Sequence, residues 1–112
     1  MAEDEEYLIK ATIRGFSRAI ILWLLEQEPM SGYRLTKELG RLTAQRFHSG
    51  IIYPLLYEME DKEVIGGDEV KKGRRTIKYY SLTEKGKKMI DRLRKLFMLP
   101  VGEVLKDLIE VS

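Results

Sequence analysis

Between Ser49 and Leu82 the chain changes its hydrophobic period, and this limits the folds open to it. Ile52, Leu55, Leu56 and Met59 recur at i, i+3, i+4 and i+7, which is one face of a helix running from about Ser49 to Lys62 or Glu63. After Val64, two runs at about 65–71 and 75–82 flank Lys72-Gly73, which reads as a hairpin. Gly66-Gly67 permits a bulge or kink in its first strand. Ile77, Tyr79 and Ser81 alternate with Lys78, Tyr80 and Leu82 along the second. The hairpin tip, Lys71-Lys72-Gly73-Arg74-Arg75, is cationic, whereas the outer face of the preceding helix carries Ser49, Gly50, Tyr53, Pro54 and Tyr57 and little charge. Such a helix suits contact with base edges in a DNA groove, and such a tip suits contact with phosphates.

The segments on either side complete a small domain. A first helix is expected from near Arg14 or Ser17 to about Glu28, after a frayed acidic start over residues 1–10. Phe16, Ala19, Ile20, Trp23 and Leu24 share one of its faces, and Ile21, Leu22 and Leu25 extend apolar surface around the cylinder. A helix apolar on more than one side meets more than one neighbour, here a core and a partner subunit. Pro29 ends it, and Ser31 is placed to cap a second helix over roughly Gly32–Leu39, with Gly40 expected to close it in a left-handed turn. Pro54 is expected near the first turn of the third helix, where a missing N–H matters least. Thr83 is expected to cap a fourth helix bearing Met89, Ile90, Leu93, Leu96 and Phe97, and Pro100 and Gly102 separate it from a last helix at about 103–110. The fold class is therefore mainly α with a β-hairpin: a winged helix-turn-helix over about 14–82, then a C-terminal helical dimerisation segment over 83–112, in one domain.

Composition narrows the partners. The 112 residues suit a single core, and the formal net charge is only +2. Residues 1–30 carry three cations against six anions, whereas residues 63–82 carry five against three, so the positive charge is local to the hairpin. This fits a sequence reader with few phosphate contacts better than a nucleic-acid coat. With no cysteine, disulfides and thiolate-held zinc are excluded; the one histidine, His48, has no second histidine to share a metal. No cofactor is expected. No nucleophile–base pair or phosphate-cradling glycine loop argues for an enzyme. The acidic N-terminus does not read as a secretory or transit peptide, and no apolar run has membrane-spanning length, so the cytoplasm is the expected location.

Three elements, in order and with similar gaps, resemble the PadR family of transcriptional regulators. Ser31-Gly-Tyr-Arg-Leu is similar to that family's Gly-Tyr-Glu-Leu. Gly50-Ile-Ile-Tyr-Pro-Leu-Leu-Tyr-Glu-Met-Glu is similar to its Gly-x-Leu-Tyr-Pro-Leu-Leu-x-x-Leu-Glu. Lys78-Tyr-Tyr-Ser-Leu-Thr-Glu-Lys-Gly is similar to its Tyr-Tyr-x-Leu-Thr-x-x-Gly. The likeness covers about residues 17–95, and the short C-terminal part matches the small subfamily. It implies a homodimeric double-stranded-DNA-binding regulator, with helix 1 and the C-terminal helix forming the dimer. In some members a small planar or hydrophobic effector binds at that interface.

The candidate DNA contacts are Tyr33 and Arg34 at the start of helix 2, Arg46 and His48 before helix 3, and Ser49, Gly50, Tyr53, Pro54 and Tyr57 on helix 3. Lys72, Arg74 and Arg75 at the wing complete them. Each has a plainer alternative: core tyrosines, an N-cap serine, a solvated hairpin end. The candidate dimer residues are Phe16, Ile20 and Trp23 on helix 1, Leu93, Leu96 and Phe97 on helix 4, and Val104, Leu105 and Leu108 on the last helix. Trp23 reads either as a core tryptophan or as a wall of an effector pocket. The expected function is a homodimeric repressor; the competing reading is a winged-helix module that binds protein and no DNA.

Overall fold

A computed structural model describes residues 2–46 and 49–110. The first helix, α1 (Ala2–Gln27), is 26 residues long and starts more than two turns before the expected position. The residues before Arg14 lack a core-facing stripe, which is why periodicity does not find them. Their support is electrostatic: Glu3, Asp4 and Glu5 sit in the first turn, where carboxylates oppose the positive end of the helix dipole. Farther along, Ile21, Leu22, Leu24 and Leu25 are buried and anchor the helix in the core.

A strand that periodicity misses follows: β1 (Met30–Ser31) is two residues long, and it pairs with the hairpin, Met30 with Tyr80 and Ser31 with Tyr79. Ser31 then caps α2 (Gly32–Thr43) as expected, its hydroxyl accepting from the Arg34 N–H at 3.1 Å. Gly40 does not end this helix. The left-handed residue is Ala44 (φ 53°), and the Gly40 carbonyl accepts its N–H and that of Gln45. A Cβ on Gly40 would lie 3.0 Å from the Gln45 carbonyl oxygen, so glycine here makes room for the returning chain.

The third helix, α3 (Ser49–Asp61), buries Ile52, Leu55, Leu56 and Met59, the stripe expected. Pro54 lies inside the helix, past its first turn. It removes the bond that its N–H would donate to the Gly50 carbonyl. Strands β2 (Ile65–Lys72) and β3 (Arg75–Leu82) pair antiparallel from Ile65–Leu82 to Lys72–Arg75. Lys72 therefore belongs to a strand, and the turn is Gly73-Arg74. Gly73 has φ 66°, the glycine-first pattern of a two-residue hairpin. The sheet order is β1-β3-β2.

Thr83 caps α4 (Glu84–Phe97), accepting from the Gly86 N–H at 3.0 Å. The last helix, α5 (Pro100–Glu110), starts three residues earlier than expected, with Pro100 at its first position, where a missing N–H is harmless. A Cβ on Gly102 would meet the Phe97 carbonyl oxygen at 1.7 Å, so the sharp α4–α5 corner requires glycine there.

One core, completed by Leu35, Leu39, Val64, Ile65, Tyr80 and Ile90, joins all these elements except α5. Two ion pairs fasten α1 to its neighbours: Arg18 with Glu58 of α3, at 2.7 Å, and Arg94 of α4 with Glu26. The Arg94 hydrogen bonds hold the Glu26 carboxyl below the usual carboxylate range. A lowered folded-state pKa contributes stability above the unfolded value and loses it as pH falls through the folded one. Glu26→Gln should therefore be slightly less stable than the parent near neutrality and indistinguishable from it in acid, as thermal melts across pH 3–7 would report.

Candidate nucleic-acid interface

A groove of about 950 Å³ opens between the start of α2, the outer side of α3 and the wing strands. The α2 side contributes Ser31, Gly32 and Tyr33, α3 contributes Tyr53 and Tyr57, and the wing contributes Glu69 and the run Arg75–Lys78. The outer helix face and the base of the cationic wing thus meet in one concavity. Tyr57 is 58% exposed and Tyr33 68%. Tyr53 is half-buried: it packs on the core, and its ring occupies the space a side chain on Gly32 would need, with the Cβ position 2.7 Å from its Oη. The Tyr53 and Tyr57 rings lie 6.1 Å apart and tilted by 45°. Tyr57, rather than Tyr53, is the tyrosine more available to a ligand.

Sequence alone does not single out Lys78, yet this residue holds the groove together. Its Nζ donates to Glu60 Oε1 of α3 at 2.7 Å and stands 5.1 Å from the Tyr80 ring centre. Its stem crosses Gly67, where a Cβ would come within 2.3 Å of Lys78 Cε. The Glu60 hydrogen bond raises the Lys78 pKa, and desolvation raises that of the buried Tyr80 hydroxyl. Because Lys78 is raised, the pair's stabilisation is complete at neutral pH and fades only as pH climbs through the elevated ammonium value. The pair ties β3 to α3. Period-two alternation places Thr76, Lys78 and Tyr80 on one strand face; what the sequence withholds is that α3 lies across that face.

The wing tip itself is open. Lys71, Lys72, Arg74 and Arg75 are exposed, and among the described residues none of them takes part in an ion pair. Lys72 lies 5.4 Å from the Tyr79 ring centre. Gly50 and Pro54 are exposed on α3.

Other expected contacts fall elsewhere. Arg34 pairs with Glu28 and does not line the groove. Arg46 lines a separate recess beside α1. His48 lies outside the described residues, as does the side chain of Ser49.

The expected dimer residues divide similarly. Ile20 and Leu93 are half-buried against the core, and Leu105 is half-buried. Phe16, Trp23, Leu96, Phe97, Val104 and Leu108 are exposed, from 41% for Phe97 to 71% for Leu108. Trp23 is thus not a core tryptophan. Ile109 of the last helix, together with Met98, Leu99 and Val101, which the sequence reading passes over, adds to the same exposed apolar set on and beside α5.

Comparison with known proteins places this architecture. Residues 21–92 match the transcriptional regulator PadR-like family, and the chain belongs to it. It is a regulator of transcription and not an enzyme. An uncharacterised protein of Lysinibacillus sphaericus is 34% identical over 88 residues, 74% of this chain and 79% of that one. A PadR-like transcriptional regulator of Bacillus cereus superposes with a TM-score of 0.76 at 25% identity, over 91% of this chain and 99% of the other. Bacillus subtilis PadR, solved in complex with operator DNA, superposes with a TM-score of 0.59 at 28% identity, over 68% of this chain and 45% of that protein.

Proposed function

We propose that the chain is a homodimeric, cytoplasmic repressor that binds duplex DNA sequence-specifically, with α3 in the major groove and the wing on the backbone or in the adjacent minor groove. The carrying observation is the shared concavity, where the tyrosines of α3 and the base of the unpaired cationic wing face one ligand. Tyr57 and Pro54 offer apolar contact to thymine methyls, and Tyr33 and Tyr57 hydroxyls can donate to phosphate. The operator complex of the Bacillus subtilis relative supports this reading. Two copies of α3 in a dimer would sit about one helical turn, roughly 34 Å, apart on an inverted repeat. Among the described residues, no helix is long and apolar enough to cross a membrane.

Selection of bound duplexes from a random pool, followed by sizing of the complex, tests the reading. An inverted repeat bound by two chains is expected. No enrichment, with no shift of mixed duplex at low salt, would favour the protein-binding module instead.

In this reading the dimer forms through the exposed apolar residues of α1, α4 and α5, whose exposure supports it. Leu108→Glu should shift the chain from dimer to monomer by light scattering and weaken operator binding at least tenfold, since two half-sites bind more tightly when linked. A planar effector between two copies of Trp23 should give saturable quenching of the single tryptophan; no signal across a panel of aromatic compounds removes that role.

A further inference from the structure

We propose that Lys10, Arg14 and Arg46 form a second phosphate-binding flank, so that α1 touches DNA on the side of α3 opposite the wing. This rests on the DNA-binding reading of the chain. The three cations line one recess with Ile13, Gln45 and Ile51. Lys10 and Arg14 are one helical turn apart on α1, an arrangement of like charges that weakens a helix. One turn on, Arg18 is neutralised by Glu58. Among the described residues no ion pair includes Lys10, Arg14 or Arg46, and all three are exposed. Folding thus gathers three cations that make no ion pair among the described residues, with the acidic Glu6 one turn before Lys10 on α1.

The geometry of α3 says which anion fits. Ile51 and Glu58 are seven residues apart on one flank of α3, and both face α1. Tyr53 and Glu60 are seven apart on the other flank, which faces the groove and the wing. The exposed Gly50, Pro54 and Tyr57 lie between. A helix seated in a major groove about 12 Å wide has a phosphate strand along each flank. The wing cations meet one strand, and Lys10, Arg14 and Arg46 meet the other. The ligand is the DNA phosphodiester backbone, recognised by charge and without base readout.

The test is the full-length double variant Lys10→Gln/Arg14→Gln, with Lys106→Gln on α5 as control. Both substituted positions are exposed and glutamine is a comparable helix former, so the thermal midpoint should be unchanged. On the selected duplex, bound by two chains, the plot of log affinity against log salt should flatten by about 3.6 for four phosphates no longer neutralised, two per chain, with the same weakening on a scrambled duplex and a parental slope for the control. A parental slope in the double variant overturns the flank and leaves the regulator reading intact. A weakening confined to the selected duplex also overturns it, since that would be base readout. Failure of the parent chain to bind any duplex overturns both.

Discussion

Gly86→Ala should destabilise the chain by about 3 kcal/mol. Gly86 is buried in the first turn of α4. A Cβ would stand 2.1 Å from the Val64 carbonyl oxygen and 2.8 Å from Leu82 Cδ1. The first obstacle is backbone, so no side-chain rotation relieves it; α4 must retreat from the chain at Val64, where α3 leads into β2. That retreat strains a junction built on Thr83. Its hydroxyl donates to the Glu63 carbonyl at 2.6 Å and accepts from the Gly86 N–H, while its own N–H donates to the Val64 carbonyl at 3.3 Å. Loss of the cap alone costs about 1 kcal/mol. Alanine's better helix propensity returns up to about 1 kcal/mol, which does not offset the clash. A melting-temperature drop on the order of 10–20 °C is expected for a domain of this size. A drop under about 3 °C would mean that the α3–α4 junction yields far more readily than this packing implies.

Arg74→Gln/Arg75→Gln should cut DNA affinity roughly tenfold or more near 0.15 M salt and leave stability unchanged. Both arginines are exposed at the turn, and Arg75 also lines the groove beside the α3 tyrosines. Every phosphate that goes unneutralised should reduce the salt slope by about 0.9, so a dimer that loses two contacts from each of its two wings should fall by about 3.6. Because phosphates carry no sequence, operator and scrambled duplexes should weaken by similar factors. Tyr57→Ala should behave oppositely, losing operator preference while keeping the slope. If the arginine variant keeps the parental slope, the wing does not touch DNA.

Local rules make much of this molecule readable without coordinates. The α3 stripe, the hairpin, and the Ser31 and Thr83 caps follow from period and capping chemistry, and the PadR-like motifs lie on those elements. The failures have physical causes. The first turns of α1 show no stripe because they touch no core, and only their acidic residues signal a helix. β1 is two residues long and exists only because β3 is beside it. Gly40 looks like a helix end because a glycine that makes room for a returning chain is written like one that adopts positive φ. In the groove, Tyr57 and Arg75 can be nominated by face, but the Lys78–Glu60 brace joins residues 18 apart through an angle that no local rule specifies. Arg46 is nominated by its place before α3, without Lys10 and Arg14 beside it, because a first helix expected only from near Arg14 or Ser17 does not bring its early turns alongside.

The two ion pairs of α1 have a mechanical consequence. This helix is a rod of about 39 Å, tied to α3 through Arg18–Glu58 and to α4 through Arg94–Glu26. The ties at Arg18 and Glu26 are about 12 Å apart along it, so a tilt of about 5° moves one against the other by about 1 Å. A displacement of α4 is therefore handed through one rigid element to α3, the helix proposed to align a half-site.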